Sequence, residues 1–321
     1  MKRKYLQGIS IIIGGAVTML MAASFFMLEY SLSPDNRGKD IPGSWNYLFD
    51  TYPETRPWID SLKQAEALKD TFIYNDERIK LHAYYVAASK PTSKTAVIVH
   101  GYTDNAIRMM MIGYMYHHSL GFNILLPDLQ YSGLSGGDDF QMGWLDRKDV
   151  MKWMDTANQI YGDSTQMVVH GISMGGATTM MISGESRPDY VKCLVDDCGY
   201  TSVWDQFGKE LKVQFNLPEM PLMYISSWLC GIFKGWTFQE ASAIEQVKKC
   251  KLPMLFIHGK KDDYVPTWMV YDLYQAKPDP KELWVKVGDK VITSKYSGTE
   301  VKLNKEEYTE KVKLFTDKYI R

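Results

Sequence analysis

The segment Gly171-Ile-Ser-Met-Gly-Gly176 has residue types and a spacing that suit nucleophilic chemistry. It follows an apolar run and precedes a stretch of helical length, which is the context that a G-x-S-x-G nucleophile elbow requires. The serine backbone is strained on such a turn, and Gly171, Gly175 and Gly176 avoid collisions with the neighbouring strand and helix. The N–H groups at the helix N-terminus then face a developing negative charge. We therefore predict that Ser173 is a catalytic nucleophile.

Short apolar runs that alternate with helical stretches supply the elements needed to hold this turn. The predicted strands are residues 71–74, 81–87, 95–99, 123–126, 166–169, 191–195, 254–257 and 283–287. The predicted helices are residues 58–68, 106–120, 146–161, 175–183 and 267–276. The middle strands are continuous Val/Ile/Leu runs, as expected for strands covered on both faces. The alternation predicts an α/β fold with a doubly wound, mostly parallel sheet.

Residues 204–238 interrupt this alternation with a concentration of aromatic and methionine side chains. The stretch is too long for a single crossover between two strands. We interpret it as a small helical cap over the sheet, because it follows a strand end, where ligand crevices lie. The alternative is that these aromatic residues belong to the main core.

The first residues of the chain carry a targeting signal. The basic head Lys2-Arg-Lys4 precedes residues 8–28, which contain no charged residue and can cross a hydrocarbon core of roughly 30 Å. The basic head favours the cytoplasmic side, so everything after Glu29 is expected outside. Residues 1–30 are then a signal anchor, or a signal peptide cleaved near Ala22-Ala-Ser24; a buried core helix is the third reading. We favour the anchor, followed by a leading segment over 31–70 and a globular domain over 71–321.

Composition excludes several partners. The 321 residues are 45% hydrophobic and 23% charged, which is typical of a globular protein. The net charge is -1 and the basic residues are dispersed, so nucleic acid is not an expected partner. The four cysteines have neither C-x-x-C spacing nor nearby histidines, so we expect neither a metal nor another cofactor. A disulfide between Cys193 and Cys250 and two buried free thiols both remain open, and nothing in the sequence indicates an oligomeric state.

Three further motifs follow strands in the same order as in a known superfamily. They are His100-Gly-Tyr102, the Gly-rich turn that begins at Asp128, and the segment His258-Gly-Lys-Lys-Asp262-Asp-Tyr-Val-Pro266. Together with the elbow, they make residues 71–319 resemble the α/β-hydrolase superfamily. Within it the chain is most similar to envelope-tethered bacterial hydrolases grouped with serine aminopeptidases and monoacylglycerol-lipase-like esterases.

This resemblance implies roles for further residues. Asp262 corresponds to the triad acid, with Asp263 as a neighbour that could be confused with it. The backbone N–H groups of Tyr102 and Met174 correspond to the oxyanion hole. His100 and His170 close strands near the pocket, where the family uses such residues for support.

One part of the family pattern is missing. The triad histidine belongs in the loop after the last strand, but residues 288–304 contain no histidine. Counting back from Glu307-Tyr308, which resembles the start of the last helix, puts its position near Tyr296 or Ser297. A serine hydroxyl without an adjacent base is a weak nucleophile at neutral pH. Lys290 and Lys295 are the only substitutes that the loop suggests.

Two functions therefore remain open. The first is a serine hydrolase that cleaves ester or amide bonds of small apolar acyl substrates with an atypical triad. The second is a catalytically impaired binding or scaffold protein with the same fold. The intact elbow, oxyanion segment and acid favour the hydrolase.

Overall fold

The computed structural model describes residues 2–34, 37–186, 188–286 and 305–321. In this part of the chain a sheet has eight strands in the order β1-β2-β4-β3-β5-β6-β7-β8. β2 is antiparallel to both β1 and β4, and every other neighbouring pair is parallel. The prediction of a doubly wound, mostly parallel sheet is confirmed.

Each predicted strand coincides with an observed one. The strands are β1 (Lys69–Tyr74), β2 (Lys80–Val86), β3 (Lys94–Val99), β4 (Asn123–Asp128), β5 (Gln166–Ile172), β6 (Val191–Asp197), β7 (Met254–Gly259) and β8 (Lys281–Lys286). Every residue of β4 and of β7 is buried, which explains the continuous apolar runs over residues 124–127 and 254–257 within them. Alternate side chains of β3 enter two separate cores. Val97 and Val99 lie in the core on one face of the sheet, and Ala96 and Ile98 lie in the core on the other face.

Helices cover both faces of the sheet. They are α1 (Lys2–Leu32), α2 (Ile41–Thr51), α3 (Thr55–Gln64), α4 (Met110–Tyr114), α5 (Asp146–Ile160), α6 (Met174–Ile182), α7 (Val203–Phe215), α8 (Leu222–Phe233), α9 (Ala243–Val247), α10 (Trp268–Ala276) and α11 (Lys305–Thr316). The core that contains Trp153 of α5 and Met180 of α6 lies on one face. The core that contains Ile59 of α3 and Phe315 of α11 lies on the other.

The leading segment is more helical than its prolines indicated. Pro42 occupies the first turn of α2, where a missing N–H costs nothing, and Asp40 accepts a hydrogen bond from the N–H of Gly43. α3 ends at Gln64, earlier than the predicted residue 68, because Glu66 adopts a left-handed backbone with φ of 51°. The stretch 106–120 is likewise shorter as an α-helix, with a π-helical turn over Met115–Ser119.

The cap consists of α7 and α8, and its aromatic residues divide between the two predicted locations. Trp236 and Phe238 are buried in the core that also contains Met180. Tyr224 and Trp228 on α8 are exposed. Both interpretations of residues 204–238 are therefore correct for part of the segment.

Helix α1 is long and apolar enough to cross a membrane over Gln7–Leu32. Its first half makes few contacts, and Ile11, Ile12 and Val17 are exposed. Its last turns pack on the globular domain, where Leu28 and Leu32 are fully buried. The apolar helix is thus continuous with the core of the domain.

The four cysteines are buried and none of them forms a disulfide. Although β6 and β7 are neighbours, Cys193 and Cys250 pack in cores on opposite faces of the sheet. The disulfide that the sequence left open is therefore absent.

Candidate active site

Ser173 lies between the end of β5 and the start of α6, with φ of 57° and ψ of −117°. A positive φ is rare outside glycine and costs on the order of 1–3 kcal/mol, which the surrounding structure must offset. The N–H of Ser173 donates to the carbonyl of Asp197 at 2.8 Å, which ties the turn to β6. The serine thus has the strained geometry of a nucleophile elbow.

The three elbow glycines allow backbone contacts that a side chain would prevent. A Cβ on Gly171 would lie 1.9 Å from the carbonyl oxygen of Gly175, and one on Gly175 would lie 2.1 Å from that of Val99. A Cβ on Gly176 would lie 2.3 Å from the Asp196 carboxylate. The close packing of α6 against β3 and β6 therefore requires glycine at all three positions.

The segment after β3 lies directly beside Ser173. A Cβ on Gly101 would be 3.4 Å from the Cβ of Ser173, and Tyr102 is the next residue. Met174 is the first residue of α6, so its N–H belongs to the group that has no partner within the helix. The two predicted oxyanion donors therefore flank the nucleophile, and both residues line the same cavity as Ser173.

Asp262 lies in the loop after β7 and also lines this cavity. Its Oδ1 accepts hydrogen bonds from the N–H groups of Tyr264 and Val265 at 2.9 and 3.0 Å. These bonds fix the carboxylate within its own loop. Its Oδ2 lies 3.9 Å from Nε2 of His258.

The cavity has a volume of about 880 Å³, near the upper end of the usual range for ligand pockets. Its floor contains Ser173 and Asp262, and α7 and α8 contribute the apolar side chains of Phe207, Leu211 and Met223. The cap therefore encloses the site.

The imidazole rings of His100 and His258 form hydrogen bonds with backbone groups. Nε2 of His100 accepts from the N–H of Leu129 at 2.9 Å, so its Nδ1 donates to the carbonyl of Gly101. Nε2 of His258 donates to the carbonyl of Val265 at 2.9 Å, and burial lowers the pKa of His258. Neither side chain lines the cavity.

His170 is enclosed beneath the elbow. The Tyr308 hydroxyl donates to Asp197 and therefore accepts from Nε2 of His170, while Tyr116 donates to Nδ1. Burial lowers the pKa of His170 to about 3. This neutral, fully bonded ring supports the turn and is not available as a base.

The remaining histidines lie away from the site. His82 contacts Asp128, whose carboxylate also accepts from the N–H groups of Ala106 and Leu134 and so orders the Gly-rich turn. His117 accepts from the indole of Trp58, and His118 is exposed. None of the six histidines lines the cavity. Tyr296, Ser297, Lys290 and Lys295 lie outside the described residues.

A buried carboxylate near the elbow was missed by the sequence analysis. Asp197 ends β6, and burial raises its pKa to about 7, although the hydrogen bond from Tyr308 acts in the opposite direction. The neighbouring Asp196 accepts from the N–H of Gly199, and burial also raises its pKa. The signal was the run Val195-Asp-Asp197 at a strand end, which places two acidic residues inside an otherwise apolar element.

The sheet, the elbow and the cap together define an α/β-hydrolase. The model of the prolyl oligopeptidase family matches residues 116–279, just over half of the 321 residues. The chain therefore belongs to this family.

Relatives and solved structures agree with this assignment. The uncharacterized protein YqkD of Bacillus subtilis is 29% identical over 201 residues, which are 63% of this chain and 66% of that one. The uncharacterized membrane protein YNL320W of Saccharomyces cerevisiae is 23% identical over 208 residues, or 64% and 66% of the two chains. The matched part of the chain therefore covers slightly less than two thirds of the length of these relatives. The Pyrococcus furiosus esterase Pf2001 is 20% identical with a TM-score of 0.61, covering 81% of this chain and 94% of that one.

A second, local similarity concerns the end of the chain. The model of the chaperonin 10 Kd subunit matches residues 273–312. The co-chaperonin GroES of Clostridium novyi is 84% identical over 25 residues, which are 8% of this chain and 27% of that one. The chaperonin match includes Tyr296 and Ser297. The stretch in which the triad histidine was expected is thus similar to a different protein family.

Proposed function

We propose that the protein is a serine hydrolase that cleaves ester or amide bonds of small, apolar acyl substrates. Ser173 is the nucleophile, Asp262 is the acid, and the N–H groups of Tyr102 and Met174 stabilise the oxyanion. One observation carries the proposal: a strained serine at the start of α6 lines the same cavity as a hydrogen-bonded carboxylate. Such strain persists where function requires it.

The lining of the cavity supports apolar substrates. Met27, Phe207, Leu211 and Met223 contribute aromatic or aliphatic side chains around Ser173. Burial of an acyl group against them is favourable by roughly 25 cal/mol per Å² of apolar surface. A charged acyl group would lose its hydration without gaining a cationic partner there.

A second function, binding without turnover, is favoured by a different observation. No histidine lines the cavity, so Ser173 has no imidazole to accept its proton. Without the base, the oxyanion hole and substrate binding leave roughly 10³–10⁴-fold catalysis over water. The two functions differ in whether Ser173 is reactive.

Labelling with a fluorophosphonate separates them. We expect the full chain in detergent to be labelled at Ser173 more slowly than a serine hydrolase with a complete triad, because only the base is absent. Ser173→Ala should remove the label, as read by mass spectrometry of the Ser173 peptide. A wild-type chain that resists the probe while binding acyl ligands would support the binding protein instead.

We propose further that α1 anchors the protein in the cell membrane with the hydrolase domain outside the cytoplasm. Its apolar span follows Lys2-Arg-Lys4, and basic residues remain on the cytoplasmic side. Ser24, at the alternative cleavage site, is fully buried, and its carbonyl accepts a hydrogen bond from the Ser226 hydroxyl. These contacts support retention of the helix, because they attach the possible cleavage site to the folded domain.

Protease added to intact spheroplasts is therefore expected to digest the domain while the protein remains in the membrane fraction. A cytoplasmic marker protein should survive in the same sample as the control for integrity. Complete protection of the domain, or its release into the medium, would contradict this topology.

A further inference from the structure

Helix α1 forms one wall of the cavity that contains Ser173. Its side of the cavity includes Phe26, Met27, Glu29, Tyr30 and Ser31. The Tyr102 hydroxyl donates to the carbonyl of Ser31 at 2.7 Å, which attaches the helix to the oxyanion segment. The same helix that is apolar enough to span a membrane is therefore part of the active-site pocket.

The cap forms another part of the cavity wall, and its helix α8 packs directly against α1. The Ser226 hydroxyl of α8 donates to the carbonyl of Ser24 at 3.0 Å. The rings of Phe25 and Phe233 meet edge to face with centroids 5.8 Å apart. These contacts place α8 beside the last turns of α1.

Exposed aromatic and aliphatic side chains continue from α1 onto α8. On α8, Tyr224, Trp228 and Ile232 recur every fourth residue and therefore share one face, with exposures of 53, 57 and 55%. On α1, Phe26 and Tyr30 are also four residues apart and are 61 and 47% exposed. We call these five side chains the outer apolar face. A patch of this kind on a soluble protein marks a surface for another apolar partner.

The length of α1 puts the outer apolar face at the edge of a bilayer. A hydrocarbon core of roughly 30 Å takes about 20 helical residues. A span that begins at Gly8, the first residue of the uncharged run, therefore ends near Met27. The outer apolar face lies at this level, and tyrosine and tryptophan are enriched where the hydrocarbon core meets the headgroups.

The outer apolar face and the cavity share residues. Phe26 and Tyr30 of the outer apolar face both line the cavity, as does Phe215, whose ring centroid lies 5.6 Å from that of Tyr30. Tyr264 lines it as well and is exposed on the side of the loop after β7. A molecule that leaves the bilayer beside α1 can therefore enter the pocket without crossing water.

The charges around the cavity restrict the headgroup of such a molecule. Glu29, Asp104, Glu210 and Asp262 line it, whereas no lysine or arginine does among the residues that the structure describes. Lys234, Lys209 and Arg108 lie outside the lining and pair with Glu29, Glu210 and Asp104, respectively, so these cations are already occupied. An anionic headgroup would meet carboxylates without gaining a cation.

We propose that the outer apolar face is embedded in the outer leaflet and that the pocket takes its substrate from the bilayer. The substrate is an amphiphile with one acyl chain and no net negative charge, and its identity as a substrate rests on the proposed hydrolase function. The bilayer covers the outer apolar face, because this surface is continuous with the part of α1 that spans the membrane.

The first experiment measures depth and does not depend on catalysis. The environment-sensitive fluorophore NBD is attached at Trp228→Cys or, as a matched control, at Leu314→Cys. Leu314 is exposed on α11, which packs on the other face of the sheet. In phosphatidylcholine vesicles that contain a doxyl lipid labelled near the headgroup, we expect at least twofold quenching at position 228 and none at 314. Equal exposure of both fluorophores to an aqueous quencher would overturn the proposal.

The second experiment identifies the occupant of the pocket. The full chain in nanodiscs is irradiated with a lysophosphatidylcholine that carries a diazirine in its acyl chain, and the modified residues are mapped by mass spectrometry. We expect modification of Met27, Phe207 or Met223 in both the wild type and Ser173→Ala. A lysophosphatidic acid probe with the same chain should modify them at least tenfold less.

The outcomes separate this proposal from the proposed function. Modification only at outward positions of α1 such as Ile12 and Val17 would overturn the lipid pocket, whatever the reactivity of Ser173. If the lipid probe modifies pocket residues of a chain that fluorophosphonate does not label, the lipid site is supported and the proposed hydrolase function is contradicted. Equal modification by the two headgroups would overturn the charge selection.

Discussion

Gly175→Ala is expected to abolish fluorophosphonate labelling of Ser173 and to lower the free energy of unfolding by about 3 kcal/mol or more. The new Cβ would lie 2.1 Å from the carbonyl oxygen of Val99 and 2.7 Å from that of His100. These are backbone atoms at and just after the end of β3, where Val99 pairs with Gly171 of β5, so they cannot move aside without disrupting the sheet. Helix α6 must therefore shift, and Ser173 must move with it away from Gly101 and Tyr102.

Gly231→Ala in α8 is the matched control. The nearest atom to its new Cβ is Cγ2 of Thr237 at 3.3 Å, the end of a side chain. Alanine in a helix is favoured over glycine by up to about 1 kcal/mol, so this variant should be as stable as the wild type or slightly more stable. Urea unfolding followed by tryptophan fluorescence gives the stabilities. Wild-type labelling and stability in Gly175→Ala would contradict the observed elbow.

The strands and the elbow could be predicted because their signals are local. Fully buried strands such as β4 and β7 contain continuous apolar runs, here over residues 124–127 and 254–257, and no long-range information is needed to recognise them. The elbow is equally local, since the contact that excludes a side chain at Gly171 involves Gly175, only four residues away. This is why the position of Ser173 followed from the sequence.

Contacts between distant residues could not be predicted in the same way. The hydrogen bond between Ser226 and Ser24 joins positions 202 residues apart, so the role of α1 as a pocket wall has no signature in either segment. The network of His170, Tyr308 and Asp197 likewise joins residues more than 100 positions apart. The sequence analysis placed His170 near the site, but its two tyrosine partners appear only when the sheet and α11 are assembled.

The missing base has an explanation in the sequence itself. A point substitution would leave a family-like loop around the lost histidine, whereas here the chaperonin model matches residues 273–312, across the whole region. Ser173, Tyr102, Met174 and Asp262 precede that range and are arranged around one cavity. Under the proposed function, the group that this site lacks is the histidine of the family pattern, whose expected position falls within the range that the chaperonin model matches.

Restoring an imidazole is expected to raise Ser173-dependent hydrolysis by at least about 100-fold. In a working triad, loss of the histidine costs up to about 10⁶ in turnover, so even partial recovery is large. α11 begins at Lys305, two residues before Glu307, from which the count back to Tyr296 and Ser297 was made. Because that alignment is good to one or two residues, Tyr296→His and Ser297→His are made separately, and Thr293→His serves as a loop control that should gain nothing.

The activities are measured as kcat/KM on a short-chain activated ester, each variant with and without Ser173→Ala.

Free imidazole added to the wild-type chain tests the same idea without any substitution at positions 293–297. The cavity of about 880 Å³ is large enough to admit the imidazole ring beside Asp262. We expect a saturable increase in rate that disappears in Ser173→Ala, which also corrects for hydrolysis by imidazole in solution. A wild-type chain that already turns over at the rate of a complete triad would show that another group is the base. Gains that persist without Ser173, or no gain from either histidine or imidazole, would show that the missing proton acceptor is not what limits this site.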